Sequence, residues 1–246
     1  GAQGTNTNQA LFNCDEDRYY YASVDGDSAA RKGESITELS DTRIFGKGKL
    51  ASAGGGGNSH NSGGGGGANG GSGGMGGYQV VVCTPAPFDN RGIGGNALTY
   101  NNTLNKIFMG GGGGAGHVNN PQGFTGDGGN GGGIAIITGN TLVSASGFII
   151  SNGNSGTPCL LGGSACHEGM GGGGAGGSIL LNINNYINNV TVNAIGGNGG
   201  VMTDAINGLL GPGGGGGGGT IWFKTASVPA EVLPQLNEGI NGTCIN

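Results

Sequence analysis

Between residues 54 and 224 the apolar residues come in short bursts, each reached directly from a run of glycine. The bursts are Tyr78 to Cys83, Ile134 to Thr138, Ile179 to Ile183 and Thr220 to Lys224. Short windows rich in β-branched and aromatic residues and bounded by glycine predict strands. Two stretches align with each other: 132–137 leading on to Phe148, Ile149 and Ile150, and 176–181 leading on to Val190, Thr191 and Val192. In both, two strands flank a short corner before the chain returns to glycine, the pattern of one coil of a parallel β-solenoid. The last glycine runs begin at residues 110, 171 and 213, at uneven spacings of 61 and 42. That favours strands layered against a glycine sheet or bundle over a regular solenoid. Only Ala30 to Leu39 and Pro229 to Leu236 avoid glycine long enough for a helix, and neither carries a stripe of period 3.6. The predicted class is therefore all-β, β-solenoid-like or layered strands combined with ordered poly-glycine II-type segments.

Composition explains why the strands cannot carry the fold alone. Glycine supplies 65 of 246 residues and only 9% are charged, far from ordinary globular usage. Disorder is the first alternative, but disordered chains are held open by charge and lack β-branched residues. Here the net charge is only -5 and apolar bursts interrupt the glycine. Fixing glycine costs more backbone entropy than fixing any other residue, so an ordered run needs compensating hydrogen bonds and close packing. An extended helix of three residues per turn meets that need, because its N–H and C=O groups all point sideways to neighbours. At about 3.1 Å per residue, a run such as 213–219 spans about 22 Å. Collagen is excluded, since there are 7 prolines and no Gly-X-Y period.

Residues 1–50 read as a charged lead-in segment, with Asp15, Glu16, Asp17 and most other charges, and residues 51–246 as a glycine-rich β domain. The five cysteines, Cys14, Cys83, Cys159, Cys166 and Cys244, are disulfide candidates; Cys159 and Cys166 bracket the shortest loop, and the odd number leaves one thiol over. Their spacing is not that of a zinc ligand set, and His60, His117 and His167 lie far apart. Asp127, within Gly126-Asp127-Gly128-Gly129-Asn130-Gly131, resembles a fragment of a calcium-binding nonapeptide repeat. Sequons at Asn101, Asn189 and Asn241 are glycosylation candidates. Tyr19, Tyr20, Tyr21, Tyr78 and Phe124 are candidates for a glycan-stacking or protein-binding surface, whereas Trp222, between Ile221 and Phe223, is placed in the core. No Gly-x-Ser-x-Gly elbow sits between a strand and a helix, and there is no Gly-Lys-Ser/Thr phosphate loop. No cofactor is expected, and no apolar run is long enough for a membrane span. Nine basic residues and net acidity argue against nucleic acid as a partner.

Ala53-Gly-Gly-Gly-Gly-Asn58-Ser-His-Asn-Ser62, followed by 63–69, resembles large secreted glycine-rich surface proteins of Bacteroidetes-type bacteria. The segments 109–117 and 171–179 are similar to them too. The resemblance implies an extracellular or cell-surface location and a role in adhesion or gliding-related export. It also implies that Ser28, in Asp27-Ser28-Ala29, is an O-glycosylation site of that bacterial type. The glycine density is similar in architecture to the poly-glycine II layers of phage tail adhesins and arthropod antifreeze proteins. The expected function is a non-catalytic extracellular structural protein that self-associates into a fibre or surface assembly. The alternatives are an adhesin module for a host surface or glycan, and an ice-binding protein.

Overall fold

In a computed structural model, the described residues are 1–2, 19–20, 29–38, 40–58, 60–78, 89–100, 105–118, 126–159, 168–203 and 210–245. Eight strands are present among them and no helix: β1 Ile134–Val143, β2 Gly147–Ile150, β3 Ser178–Ile187, β4 Val190–Asn193, β5 Met202–Thr203, β6 Thr220–Phe223, β7 Val232–Gln235 and β8 Cys244–Ile245. The chain is all-β, as its apolar bursts predict. The first burst, Tyr78 to Cys83, lies outside the described residues beyond Tyr78.

All strand pairing is parallel, in sheets of order β1-β3-β6, β2-β4-β7 and β5-β8. Ile134 pairs with Ser178 and Ser178 with Thr220, so equivalent positions recur after 44 and then 42 residues. The uneven run spacing read from the sequence mixes two kinds of run. The run at 110 does not lead into a strand; the glycines before β1 are those at 128–133. Side chains alternate across each strand. Ile179, Leu181 and Ile183 of β3 meet Val190 and Val192 of β4 and Val232 of β7 in the buried core between the first two sheets. The corners are turned in the left-handed region by Ser146 (φ 65°) and Asn188 (φ 62°). Asn188 also donates its side-chain amide to the carbonyl of Ser144, between β1 and β2, at 2.9 Å.

The glycine segments bond to one another through their backbones, and the partner changes in rotation. Along 110–117, Gly111, Gly114 and His117 donate to Ala68, Gly65 and Ser62; Gly112 and Ala115 donate to Glu34 and Arg31; Gly110, Gly113 and Gly116 donate to Gly132, Gly129 and Gly126. Every third residue thus faces the same neighbour. The tract 61–69 donates to three tracts: Gly63 to Gly77, Gly64 to Met170 and Gly65 to Gly55. It accepts from three more, through Gly92 to Gly63, Gly214 to Gly64 and Gly114 to Gly65. Six neighbours therefore surround it. Tract 169–177 is surrounded in the same way, donating to 111–117, 211–217 and 151–154, and accepting from 64–67, 129–132 and 197–200. Residues before position 50 share the network, with Ala30 and Gly33 donating to Gly57 and Gly54.

This packing requires the absence of side chains. A Cβ added at Gly216 would stand 2.0 Å from the carbonyl oxygen of Gly174, and one at Gly66 would stand 1.9 Å from that of Gly215. The outer tracts differ, carrying a side chain at every third position: Ser72 and Met75; Asp127 and Asn130; Asn152 and Ser155; Ile195, Asn198 and Val201. Several of these close the hydrogen-bond direction that faces outward. Asn152 accepts from the Ile195 N–H and Asn198 from the Ile240 N–H, each at 2.9 Å.

Candidate functional site

The outer face of the β1-β3-β6 sheet holds a groove of about 400 Å³. Its floor is a row of residues in register, Ile136, Leu180 and Trp222, with Ser178 and Thr220 beside them. Ile221 and Phe223 pack against the core, so alternation turns Trp222 outward. It is 42% exposed, which corrects its placement in the core by sequence. Its apolar neighbours led to that placement, whereas the strand phase decides the matter. Tyr100, Asn105, Lys106 and Ile107 form the opposite wall.

That wall is fixed by a hydrogen-bond network at its base. The Tyr100 hydroxyl bonds to Asn69 Oδ1 and stands 3.0 Å from Ser178 Oγ. Ser178 Oγ donates to the Phe108 carbonyl at 2.6 Å, while Asn69 Nδ2 donates to the Gly176 carbonyl at 2.9 Å. The Tyr100 ring packs edge-on against Phe108, 5.7 Å between centroids. Asn105 takes a left-handed turn (φ 48°) that brings Lys106 to the rim. An apolar floor with a half-exposed indole, a phenol ring, hydroxyls and one cation suits a ligand that stacks and hydrogen-bonds at once. Sequence reasoning missed Tyr100 and residues 105–107, because that segment has neither period nor motif.

The other candidates do not converge here. Asp127 lies on an outer tract, where its carbonyl accepts from the Thr157 N–H. Among the described residues there is no group of three or more His, Cys, Asp and Glu side chains that could hold a metal ion. Asn189 and Asn241 are exposed, and Asn241 Oδ1 accepts from the Gly215 N–H at 2.8 Å. Cys159 is buried and disulfide-bonded. Cys244, a disulfide candidate by sequence, has a free thiol with its Sγ 3.7 Å from Met202 Sδ. The register explains this correction: Cys244 pairs with Met202, and Met202 bridges to Cys159, so a methionine stands between the two sulfurs. Cys14, Cys83, Cys166, Ser28, Asn101, Tyr21 and Phe124 lie outside the described residues.

Two buried bases sit away from the groove. Lys32 is fully buried, donates to the carbonyls of Tyr19 (2.6 Å) and Gly48, and lies 4.1 Å from the Tyr20 ring centroid. Burial, reinforced by Arg43, pushes its pKa down from 10.5 to about 7. His117, at the end of an inner tract, accepts from the Asn61 N–H at Nδ1 (3.2 Å), and burial next to His60 pushes it down to about 3. Ser62 Oγ donates to the carbonyls of Asn58 and Asn90 (2.8 Å), an arrangement that secures the tract end.

The described residues define an all-β protein of parallel sheets joined to an array of hydrogen-bonded glycine tracts. No family model, no curated protein and no solved structure matches this chain. No helix among the described residues is long and apolar enough to cross a membrane.

Proposed function

We propose that this chain is a non-catalytic structural protein of the cell surface or extracellular space, acting as a rigid, self-associating subunit. The observation that carries the reading is the six-fold surround of tracts 61–69 and 169–177, with the same hydrogen-bond neighbour recurring every third residue. A period of three with sideways bonding is the signature of poly-glycine II-type helices, and the recurrence of strands after 44 and 42 residues is that of a short β-solenoid. In this reading the glycine array is the rigid body and the strand stack is one wall of it. Rigidity of this kind serves a protein whose task is to hold shape. Sedimentation of the full chain across concentrations tests the subunit role: reversible association is expected, and a monomer up to millimolar concentration refutes it.

The groove favours a second reading, an adhesin module that binds a saccharide or host surface through Tyr100, Lys106 and Trp222. A glycan array and a host-cell binding assay with wild type and Trp222→Ala distinguish the two. Binding lost in the variant supports the adhesin, and blank results for both proteins remove it.

A further inference from the structure

The two ends of the strand stack are built differently. At the far end, the Val190 and Ala194 N–H groups donate to the carbonyls of Glu231 and Gln235, so alternation turns the backbone groups of 232 and 234 of β7 outward. Neither offers a free donor: the Val232 N–H is bonded to the Pro229 carbonyl at 3.0 Å, and position 234 is proline. Beside it, β6 is followed directly by Lys224, whose Nζ is bonded to Asn184 Oδ1 at 2.6 Å. Proline and lysine at an edge are the usual means of stopping a further strand from adding.

The near end carries no such device. The Ser178 N–H bonds to the Gly133 carbonyl and the Ser151 N–H to the Asn193 carbonyl. The backbone groups of Ile134, Ile136 and Thr138 in β1, and of Phe148 and Ile150 in β2, therefore face away from the stack. Among the described residues no strand pairs with either edge. Three side chains there also differ from those at the same positions in the next coil. Ile134 becomes Ser178 and Thr220 in the next two coils, and Ile150 becomes Asn193 and Gln235. Phe148 faces Thr191 of the middle coil. Ile136, Phe148 and Ile150 are each about 60% exposed or more. At Ile134, Phe148 and Ile150 apolar side chains thus border a double edge that is unpaired among the described residues, where the next coil carries Ser178, Thr191 and Asn193.

We propose that this end, the β1 and β2 edges together, is the contact through which the protein pairs with a second copy of itself, and that association closes at the dimer. A lone extended peptide satisfies one edge only; the end of a second copy presents both edges with the same spacing. Because β7 offers no donor at 232 or 234, the far end of a second copy presents open N–H groups only on β6, at Ile221 and Phe223, and cannot complete both edges; the near ends therefore meet in an isologous contact. This inference rests on the self-association reading and specifies its face and its limit.

The test is sedimentation equilibrium of the full chain from micromolar to millimolar, with melting curves as a folding control. Wild type is expected to stop at two copies. Ile136→Pro removes an outward N–H that bonds to no described residue. The double variant Phe148→Thr with Ile150→Asn installs the middle coil's own residues. Each is expected to weaken pairing at least 50-fold while melting as wild type does. Dimerisation unchanged in the double variant overturns the proposal, even if Ile136→Pro misfolds. Wild-type assemblies that grow past two copies overturn the closure and the choice of face while leaving self-association standing. A monomer at every concentration overturns both.

Discussion

Gly216 lies within an inner tract, and replacing it with alanine sets one methyl group against the whole lateral network. The new Cβ stands 2.0 Å from the Gly174 carbonyl oxygen and 2.5 Å from its carbon, well inside the 3.5–4.0 Å of a favourable carbon contact. The tracts must part by more than about 1 Å to relieve it. The bonds on either side of the clash are Gly173 N–H to Gly214 at 2.8 Å and Gly176 N–H to Gly217 at 2.9 Å. Parting stretches both out of range in a site without water, at about 1–3 kcal/mol for each buried group left unpaired. Alanine stiffens the unfolded chain and returns about 0.4–1 kcal/mol. The net loss is about 2–5 kcal/mol, a large part of the roughly 5–15 kcal/mol that holds a domain together, and lowers Tm by roughly 4–20 °C. Gly133 is the control, because its Cβ meets nothing within 4 Å. Gly133→Ala is expected to melt at or slightly above wild type. Circular dichroism melts of the three proteins decide the matter. A Gly216→Ala protein within 1 °C of wild type, or a Gly133→Ala protein equally destabilised, refutes the argument that tract contact forbids side chains.

Three further outcomes follow from the same structure. Unfolded, Lys32 keeps its proton up to about 10.5, but folded only to about 7, so the unfolded chain binds more protons between these values and stability rises with pH across them. Lys32→Met should flatten the Tm profile from pH 7 to 10, and an unchanged slope discounts the buried amine. His117 has the same sign at lower pH: stability falls as pH drops from 6.5 toward 3. His117→Asn, which keeps an acceptor for the Asn61 N–H, should melt less steeply in acid; equal acid sensitivity refutes this. Trp222 is the sole tryptophan, so its emission reports the groove directly. Red-shifted fluorescence, readily quenched by acrylamide, is expected, and a blue-shifted, protected signal places it back in the core.

The strands were legible because alternation needs only sequence: Ile134 to Thr138, Ile179 to Ile183 and Thr220 to Lys224 each mark one within a few residues. The distinction between inner and outer tracts was present but unread. Runs such as 63–67 and 171–174 have neighbours on every side, whereas Gly-Gly-Ser72-Gly-Gly-Met75 and Ile195-Gly-Gly-Asn198-Gly-Gly-Val201 have an outward direction every third residue. Since every third residue faces the same neighbour, the spacing of the interruptions reports position in the array. The groove was not legible, since Tyr100 reaches its place through Asn69 and Ser178, residues 31 and 78 positions away. Nothing local to Tyr100 indicates either partner.

The network of the glycine tracts also sets how the chain must fold. The Gly64 N–H finds its acceptor at Met170 and the Gly214 N–H finds its acceptor at Gly64, so a tract holds almost none of its own bonds. An α-helix can flicker into existence alone, but an isolated tract here has nothing to hold it in shape. Order must arrive when many distant segments meet at once, and loop closure between them must come before most of the reward. During synthesis the Gly64 and Gly67 carbonyls therefore wait for their partners until the run 213–219 has been made.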